Sequence, residues 1–551
     1  MNTRKLAITM LLLVSFHLPS LATANICINL PLEDFERYHL YEGDLTIRSN
    51  DNTEIAANIF IPDSEMPANG YPAIIFISSW NFNEYEYLHH AQRFAEKGYV
   101  VINYATRGFG CSGGMAEVAS ENDINDVSAV VDYLQARNDI DMANIGVSGV
   151  SYGAGIALIG AAKEPRIKTA VAMSGWGSLS DALYGQQTGR LFWGSFLTLS
   201  GSLSGTLDPE LTTIFSDLLQ NKNIDKLLEW SEPRSPLTYV HLINEKQAPI
   251  FISHNYGDNL FQINSLMRFF DRLTGPKYFE LNQGSHASTE IPGLFGLENE
   301  TWENAHLWFD QWLKNQSNRH FPHSKVSILT DIEHDREIYA QMPGINDRSD
   351  SLTFTLAPRK NLFSQGALTT DNQSTENTSN SIFSGLDSGA STGIPALSAI
   401  VDGHYNQPVF YPISWINPLH GLTFISEPLE NTTKIRGIPT TQVEVSSSSE
   451  YLQLIAYLYD VDENGIATLI THAPITKHNM VQNQTRHLNM ELVATAYNVE
   501  KDHRIALVFD TFDLLYDLPT LLPYEARFHY SQDYQTSLTL PVLNSSIKSA
   551  D

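Results

Sequence analysis

Residues Ile145–Leu158 read I-G-V-S-G-V-S-Y-G-A-G-I-A-L. An apolar run leads into two glycine-spaced serines and out into a run of small apolar residues. Only one serine completes G-x-S-x-G. Around Ser148 the second glycine is replaced by Val150, whereas Gly149-Val150-Ser151-Tyr152-Gly153 matches in full. Strand, tight turn and helix in that order are what a nucleophile elbow requires: the serine takes a strained backbone, and the glycines let strand and helix approach closely. Ser148 then reads as the last strand residue and Ser151 as the nucleophile.

Outward from this stretch, short apolar runs alternate with amphipathic ones. Strands are predicted at 73–77, 99–104, 144–148, 169–173, 249–253 and 277–281, with helices at 84–97, 124–136 and 152–162. Nearly continuous apolar strands separated by helices imply a parallel sheet covered on both faces. The stretch 178–245 looks mostly helical and breaks the rhythm, as a cap inserted over the sheet edge would. After Phe321 the character changes to alternating strands at 351–356, 441–445, 452–458, 504–509 and 537–540, which read as a β-sandwich. The Ser/Thr/Asn/Gly-rich stretch 368–393 reads as a surface loop.

A serine hydroxyl needs a base, and the base needs a carboxylate to orient it. In this fold class the order along the chain is serine, acid, histidine, the last two following late strands. The strand at 249–253 runs into His254-Asn-Tyr-Gly257-Asp258, and the strand at 277–281 into Asn282-Gln-Gly284-Ser285-His286. Asp258 is therefore expected to orient the base and His286 to be it. The plainer alternatives are a helix cap for Asp258 and a loop histidine for His286. The rival bases are less well placed, since His254 precedes the acid and His306 follows no strand. One oxyanion donor is the backbone N–H of Tyr152; the other is expected from the loop Ser78-Ser79-Trp80-Asn81.

Arg4 and Lys5, the apolar run Leu6–Phe16 and Ala22-Thr23-Ala24 read as a secretory signal over residues 1–24. The run is too short to span a bilayer. Its removal takes the net charge from −28 to −30, because two basic residues leave and no acid does. So acidic a chain argues against nucleic-acid or anionic-membrane partners. Cys27 and Cys111 are the two cysteines, and in an oxidising compartment they either pair or stay free. No cofactor or metal is implied: Asp460-Val-Asp462-Glu-Asn464-Gly465 imitates a calcium loop, but its twelfth position is Thr471 rather than Glu. An Asn-Gly hairpin turn accounts for it better. His89-His90 lacks the i, i+4 spacing of helical metal ligands.

With these residues in place, the chain resembles the X-prolyl dipeptidyl-peptidase/cocaine esterase family of serine hydrolases. Thr106-Arg-Gly-Phe-Gly-Cys-Ser-Gly-Gly114 is similar to that family's R-G-x-G-x-S-x-G, and Ser151-Tyr152 to its elbow. Ser426-Glu-Pro-Leu429, Gly437, Tyr457-Leu-Tyr-Asp-Val461 and His503-Arg-Ile505 follow the order of its C-terminal domain. The resemblance implies an α/β-hydrolase core over residues 25–320 with a helical cap at about 178–245, and a jelly-roll domain over 321–551. It also implies a small ester or short peptide as substrate. The family's usual oxyanion tyrosine has Trp80 as its counterpart here, so the indole N–H is expected as second donor. The acyl-transfer branch places acids after the triad aspartate, where this chain has Asn259-Leu260-Phe261. The expectation is an exported serine hydrolase, an esterase or alternatively an X-Pro dipeptidyl-peptidase. The competing class is a non-catalytic secreted binding protein on a hydrolase scaffold.

Overall fold

A computed structural model describes residues 27, 42–316, 321, 324–345, 350–370, 377–517, 522–531 and 533–543; the expected signal, 1–24, lies outside them. Eight strands carry the N-terminal architecture: β1 (Glu42–Arg48), β2 (Glu54–Phe60), β3 (Tyr71–Ile77), β4 (Val100–Tyr104), β5 (Ile140–Val150), β6 (Ile167–Met173), β7 (Ile250–Asn255) and β8 (Lys277–Asn282). Their order is β1-β2-β4-β3-β5-β6-β7-β8. The β1–β2 and β2–β4 pairs are antiparallel, and from β4 onward every pair is parallel. All seven residues of β3 and all five of β4 are buried, which is why these strands read as unbroken apolar runs.

Five helices position the chemistry: α1 (Leu88–Glu96), α2 (Glu121–Ala136), α3 (Tyr152–Lys163), α4 (Ile263–Arg272) and α5 (Glu300–Leu313). Ser120 starts α2 with a capping box closed by Asp123. Helix α3 is buried from Tyr152 to Ala162, so its small residues are those a helix packed on all sides requires. The expected cap is helical, at Leu191–Ser204, Pro209–Gln220, Ile224–Ser231 and Val240–Lys246. Cys27 and Cys111 form a disulfide across 84 residues of sequence. Among the described residues no helix is long and apolar enough to cross a membrane.

The chain divides into two compact units, one running to Ala182 and resuming at Gly194–Ser327, the other made of Leu183–Trp193 and Ile328 onward. In the second, β-rich unit, strand Leu452–Val461 pairs with Ile466–Lys477 and with Arg504–Asp510. It is buried on both faces: Leu454, Ala456 and Leu458 enter one core, and Ile455, Tyr457 and Tyr459 another. The stretch resembling a calcium loop is a hairpin turn, in which Asp462 Oδ1 accepts the Asn464 and Ile466 N–H groups at 2.9 and 2.8 Å and Gly465 has φ +81°. Leu183–Trp193 belongs to this unit through Gln186, whose Nε2 donates to the Pro474 and Glu491 carbonyls at 3.1 and 2.9 Å. The Arg190 guanidinium also lies 5.0 Å from the centre of the Tyr516 ring. The expected loop at 368–393 is not wholly a loop. Thr378–Phe383 pairs antiparallel with Glu525–Tyr530, as a polar strand with Ile382 its one buried apolar residue, so it shows no alternation.

Candidate active site

The serine at the end of β5 sits at φ 55°, ψ −114°, in a region that costs an L-residue conformational energy and that nucleophile elbows use. The glycines explain how the turn closes. A Cβ on Gly149 would lie 2.4 Å from the Gly153 carbonyl carbon, and one on Gly153 2.1 Å from the Ile77 carbonyl oxygen. At Gly155 a Cβ would meet the Trp176 ring at 2.1 Å. Ser151 is thus lifted between β5 and α3, while Ser148 stays fully buried in the strand.

Two loops at the same sheet edge complete a chain of hydrogen bonds. Ser151 Oγ lies 2.7 Å from His286 Nε2, and His286 Nδ1 lies 2.7 Å from Asp258 Oδ2. A carboxylate only accepts, so the proton belongs on Nδ1 and Nε2 is left to take the serine proton. Asp258 is fully buried, and His286 keeps 12% of its side chain exposed. Burial alone would push Asp258 up, but the His286 imidazole, then His254 and the Phe261 N–H, outweigh it and hold the carboxyl below the usual range. The helix-cap alternative does not hold, since the next helix starts at Ile263 with Gln262 before it; Oδ1 instead accepts the Leu260 and Phe261 N–H groups within the loop, at 2.9 Å each. One carboxylate both fixes its own loop and holds the His286 imidazole. Glu290 fixes the histidine loop, accepting from Ser174 Oγ, Ser253 Oγ and Asn255 Nδ2 at 3.0–3.1 Å.

The rival bases are core residues. His254 donates from Nε2 to the Phe261 carbonyl at 2.7 Å and is completely buried. His306 stacks on Phe94 at 3.7 Å, and burial pushes its pKa far down.

Tyr152 is the first residue of α3, and among the described residues its N–H has no acceptor, as expected of a helix N-terminus. Its hydroxyl donates to Asp123 Oδ1 at 3.2 Å. The expectation for the Trp80 side chain needs correcting. The indole N–H donates to the Leu197 carbonyl at 3.1 Å, and the ring stands edge-on to Phe109 and Tyr152 at 4.7 and 5.3 Å. Its direction is set by packing against helix Leu191–Ser204. The Trp80 backbone N–H, in contrast, has no acceptor among the described residues.

The segment Thr106–Gly114 does structural work. Arg107 holds Asp126 through two bonds of 2.7 Å and Asp51 through one of 3.1 Å. Gly108 adopts φ +80°, and a Cβ there would meet the Ala116 nitrogen at 2.3 Å, so both backbone and space require glycine. Ser79, from the loop expected to supply an oxyanion donor, and Tyr87, from the expected helix 84–97, grip the backbone just before the elbow, and Glu86 holds Ser79; the sequence pattern marks none of these roles. Among the described residues no group of three or more His, Cys, Asp or Glu could hold a metal ion.

Residues 51–288 match the family model for X-Pro dipeptidyl-peptidase (S15 family), and residues 320–533 match the one for the X-Pro dipeptidyl-peptidase C-terminal non-catalytic domain. A CocE/NonD family hydrolase from Staphylococcus aureus superposes with TM-score 0.69 at 13% identity, over 91% of this chain and 93% of that one. An α-amino acid ester hydrolase gives 0.68 at 15% identity, over 96% and 100%. At these identities the likeness is one of fold. An uncharacterized protein of Escherichia coli K12, YcjY, is 32% identical over 126 residues, which are 22% of this chain and 41% of that protein. This chain thus spans well under half the length of that curated relative. With both halves of the chain matched by the two models, it belongs to the X-Pro dipeptidyl-peptidase (S15) family of serine hydrolases.

Proposed function

We propose that this protein hydrolyses an ester or short-peptide acyl bond through a covalent acyl-enzyme on Ser151. The observation that carries the reading is the continuous hydrogen-bonded run from Ser151 Oγ through His286 to Asp258 Oδ2, at 2.7 Å per step, starting from an elbow serine. Ser151 Oγ attacks the carbonyl carbon while His286 Nε2 takes its proton. Asp258, ionised, stabilises the resulting imidazolium. The Tyr152 N–H and the Trp80 backbone N–H receive the oxyanion, and each such donor contributes about 10²–10³ in rate. His286 returns the proton to the leaving alcohol or amine, and water repeats the sequence to free the acid. The fold neighbours include an α-amino acid ester hydrolase, and the family name speaks of X-Pro dipeptides. Ester cleavage is favoured, because the residues after Asp258 are Asn259 and the buried Leu260 and Phe261, none of which carries a negative charge to pair with a substrate ammonium.

Export belongs to the same proposal. The Cys27–Cys111 bridge fits an oxidising compartment, as do the signal features of residues 1–24; N-terminal sequencing of the exported fraction should begin at Asn25. The activity is tested with p-nitrophenyl acetate and butyrate beside Ala-Pro and Gly-Pro anilides, with Ser151→Ala as blank. Ester turnover without anilide turnover fits the favoured reading, and X-Pro anilide cleavage would replace it with a dipeptidyl-peptidase. No turnover of either, with a folded protein that no fluorophosphonate labels, would favour a binding protein on a hydrolase scaffold.

A further inference from the structure

The chain after β3 holds both peptide groups of Val150, the residue before the nucleophile. Tyr87 Oη accepts the Val150 N–H at 2.9 Å and donates to the Ile77 carbonyl at 3.1 Å. Ser79 Oγ lies 2.9 Å from the Val150 carbonyl and 2.7 Å from Glu86 Oε1. Glu86 Oε2 accepts the Ser79 N–H at 2.7 Å. Counting protons decides the state of Glu86. A serine hydroxyl carries one proton, while a carbonyl and an ionised carboxylate only accept. With Glu86 ionised, Ser79 Oγ would satisfy one neighbour and face the other as a close oxygen–oxygen contact without hydrogen. Both contacts become hydrogen bonds only when the carboxyl brings the second proton.

We propose that Glu86 is a positioning residue that works as a neutral carboxylic acid, donating to Ser79 Oγ, which donates to the Val150 carbonyl and locks the Ser78–Asn81 loop to the nucleophile elbow. The proposal rests on the hydrolase reading of Ser151, since this loop carries the Trp80 N–H assigned to the oxyanion. On ionisation the Ser79 hydroxyl turns to Glu86 and the loop releases Val150. Glu86 is half-buried, and its desolvation supports the neutral form, pushing it up to about 7 against the hydrogen bonds from Ser79. Among the described residues no charged side chain is seen to act on Glu86. Glu84, two residues away, is pushed up to about 6 by burial and then by Asp44.

The test compares kcat and KM for ester hydrolysis across pH in the parent, Glu86→Gln and Ser79→Ala. A glutamine amide donates to Ser79 Oγ and accepts the Ser79 N–H at every pH, as the neutral acid does. The parent should lose kcat as pH rises through about 7, with KM little changed. Glu86→Gln should keep kcat within about twofold on the acid side and lose that descending limb. Ser79→Ala should lose about tenfold in kcat at all pH, from a displaced oxyanion donor. A Glu86→Gln enzyme about tenfold slower on the acid side, or one retaining the parental limb, would overturn the proposal. A second readout does not depend on turnover. In the Ser151→Ala background, the infrared difference between the parental Glu86 and Glu86→Gln should show a protonated-carboxyl band that gives way to carboxylate through about 7; the difference cancels Glu84. Absence of that band overturns the neutral-acid claim whatever becomes of Ser151, whereas a parent that is never acylated at Ser151 sinks the hydrolase reading alone.

Discussion

Replacing Asp258 with asparagine separates the two tasks of this carboxylate. Oδ1 holds the Leu260 and Phe261 N–H groups, and Oδ2 holds His286 Nδ1. An asparagine keeps its carbonyl oxygen on the two backbone donors and turns its NH₂ toward the imidazole. Nδ1 must then accept, the proton moves to Nε2, and Ser151 Oγ faces a donor where it needs an acceptor. The wrong tautomer in such a triad costs about 10⁴ in kcat, or about 5.4 kcal/mol in the barrier. His254 does not substitute, because its Nε2 lies 3.6 Å from Asp258 Oδ2 and is committed to the Phe261 carbonyl. Folding should survive, with a loss of no more than about 2 kcal/mol, since the loop caps remain and one charged hydrogen bond goes. The assay is single-turnover release of p-nitrophenol, with urea unfolding on the same preparation. A folded Asp258→Asn enzyme within about tenfold of the parent would refute the assignment of Asp258 as orienting group.

Other outcomes follow from the packing and the charges. Gly153→Ala should destabilise by about 1–3 kcal/mol because its Cβ meets the Ile77 carbonyl. Gly160→Ala, whose Cβ would lie 3.3 Å from Val127 Cγ1, should change stability by less than about 1 kcal/mol, the helix preference of alanine offsetting the contact; equal melting shifts would contradict this. Reducing the Cys27–Cys111 bridge, which closes 84 residues, should cost up to about 4 kcal/mol, and Ellman titration of the unreduced protein should find no thiol. In the β-rich unit, burial would raise Glu337, but its bonds to the fully buried Arg436 at 2.8 and 3.1 Å bring it down to about 2. That stability is fully present above about 4.5 and is lost as pH falls through about 2. Glu337→Gln should therefore flatten the acid limb of unfolding by up to about 3 kcal/mol, and an unchanged limb would place the acid sensitivity elsewhere.

The elbow turn and the placing of Asp258 and His286 beside Ser151 were legible because each rests on local rules: glycines where backbones touch, and polar residues just past apolar strands. What depends on distant partners was not legible. The Trp80 indole turns to Leu197 because helix Leu191–Ser204 offers a carbonyl there, and nothing near Trp80 in sequence announces that helix. Strand Thr378–Phe383 escaped notice because it buries one apolar side chain, so periodicity had no signal. Leu183–Trp193 read as cap, but Gln186 bonds to strands about three hundred residues later and Arg190 lies over the Tyr516 ring. Nothing in the sequence decides whether Cys27 and Cys111 pair, because two cysteines carry no geometry. Glu86 and Tyr87 fall in a stretch that reads as helix and Ser79 in the loop before it; their meaning lies in the Val150 peptide that Ser79 and Tyr87 hold, with Glu86 on Ser79.

The proposed mechanism requires Ser151 to be an activated nucleophile, and a fluorophosphonate probe followed by intact-mass and peptide analysis tests that requirement. It predicts one adduct per chain, on Ser151, absent from Ser151→Ala and strongly slowed in His286→Ala. An adduct on another serine such as Ser148, or no adduct on a folded protein, would contradict it.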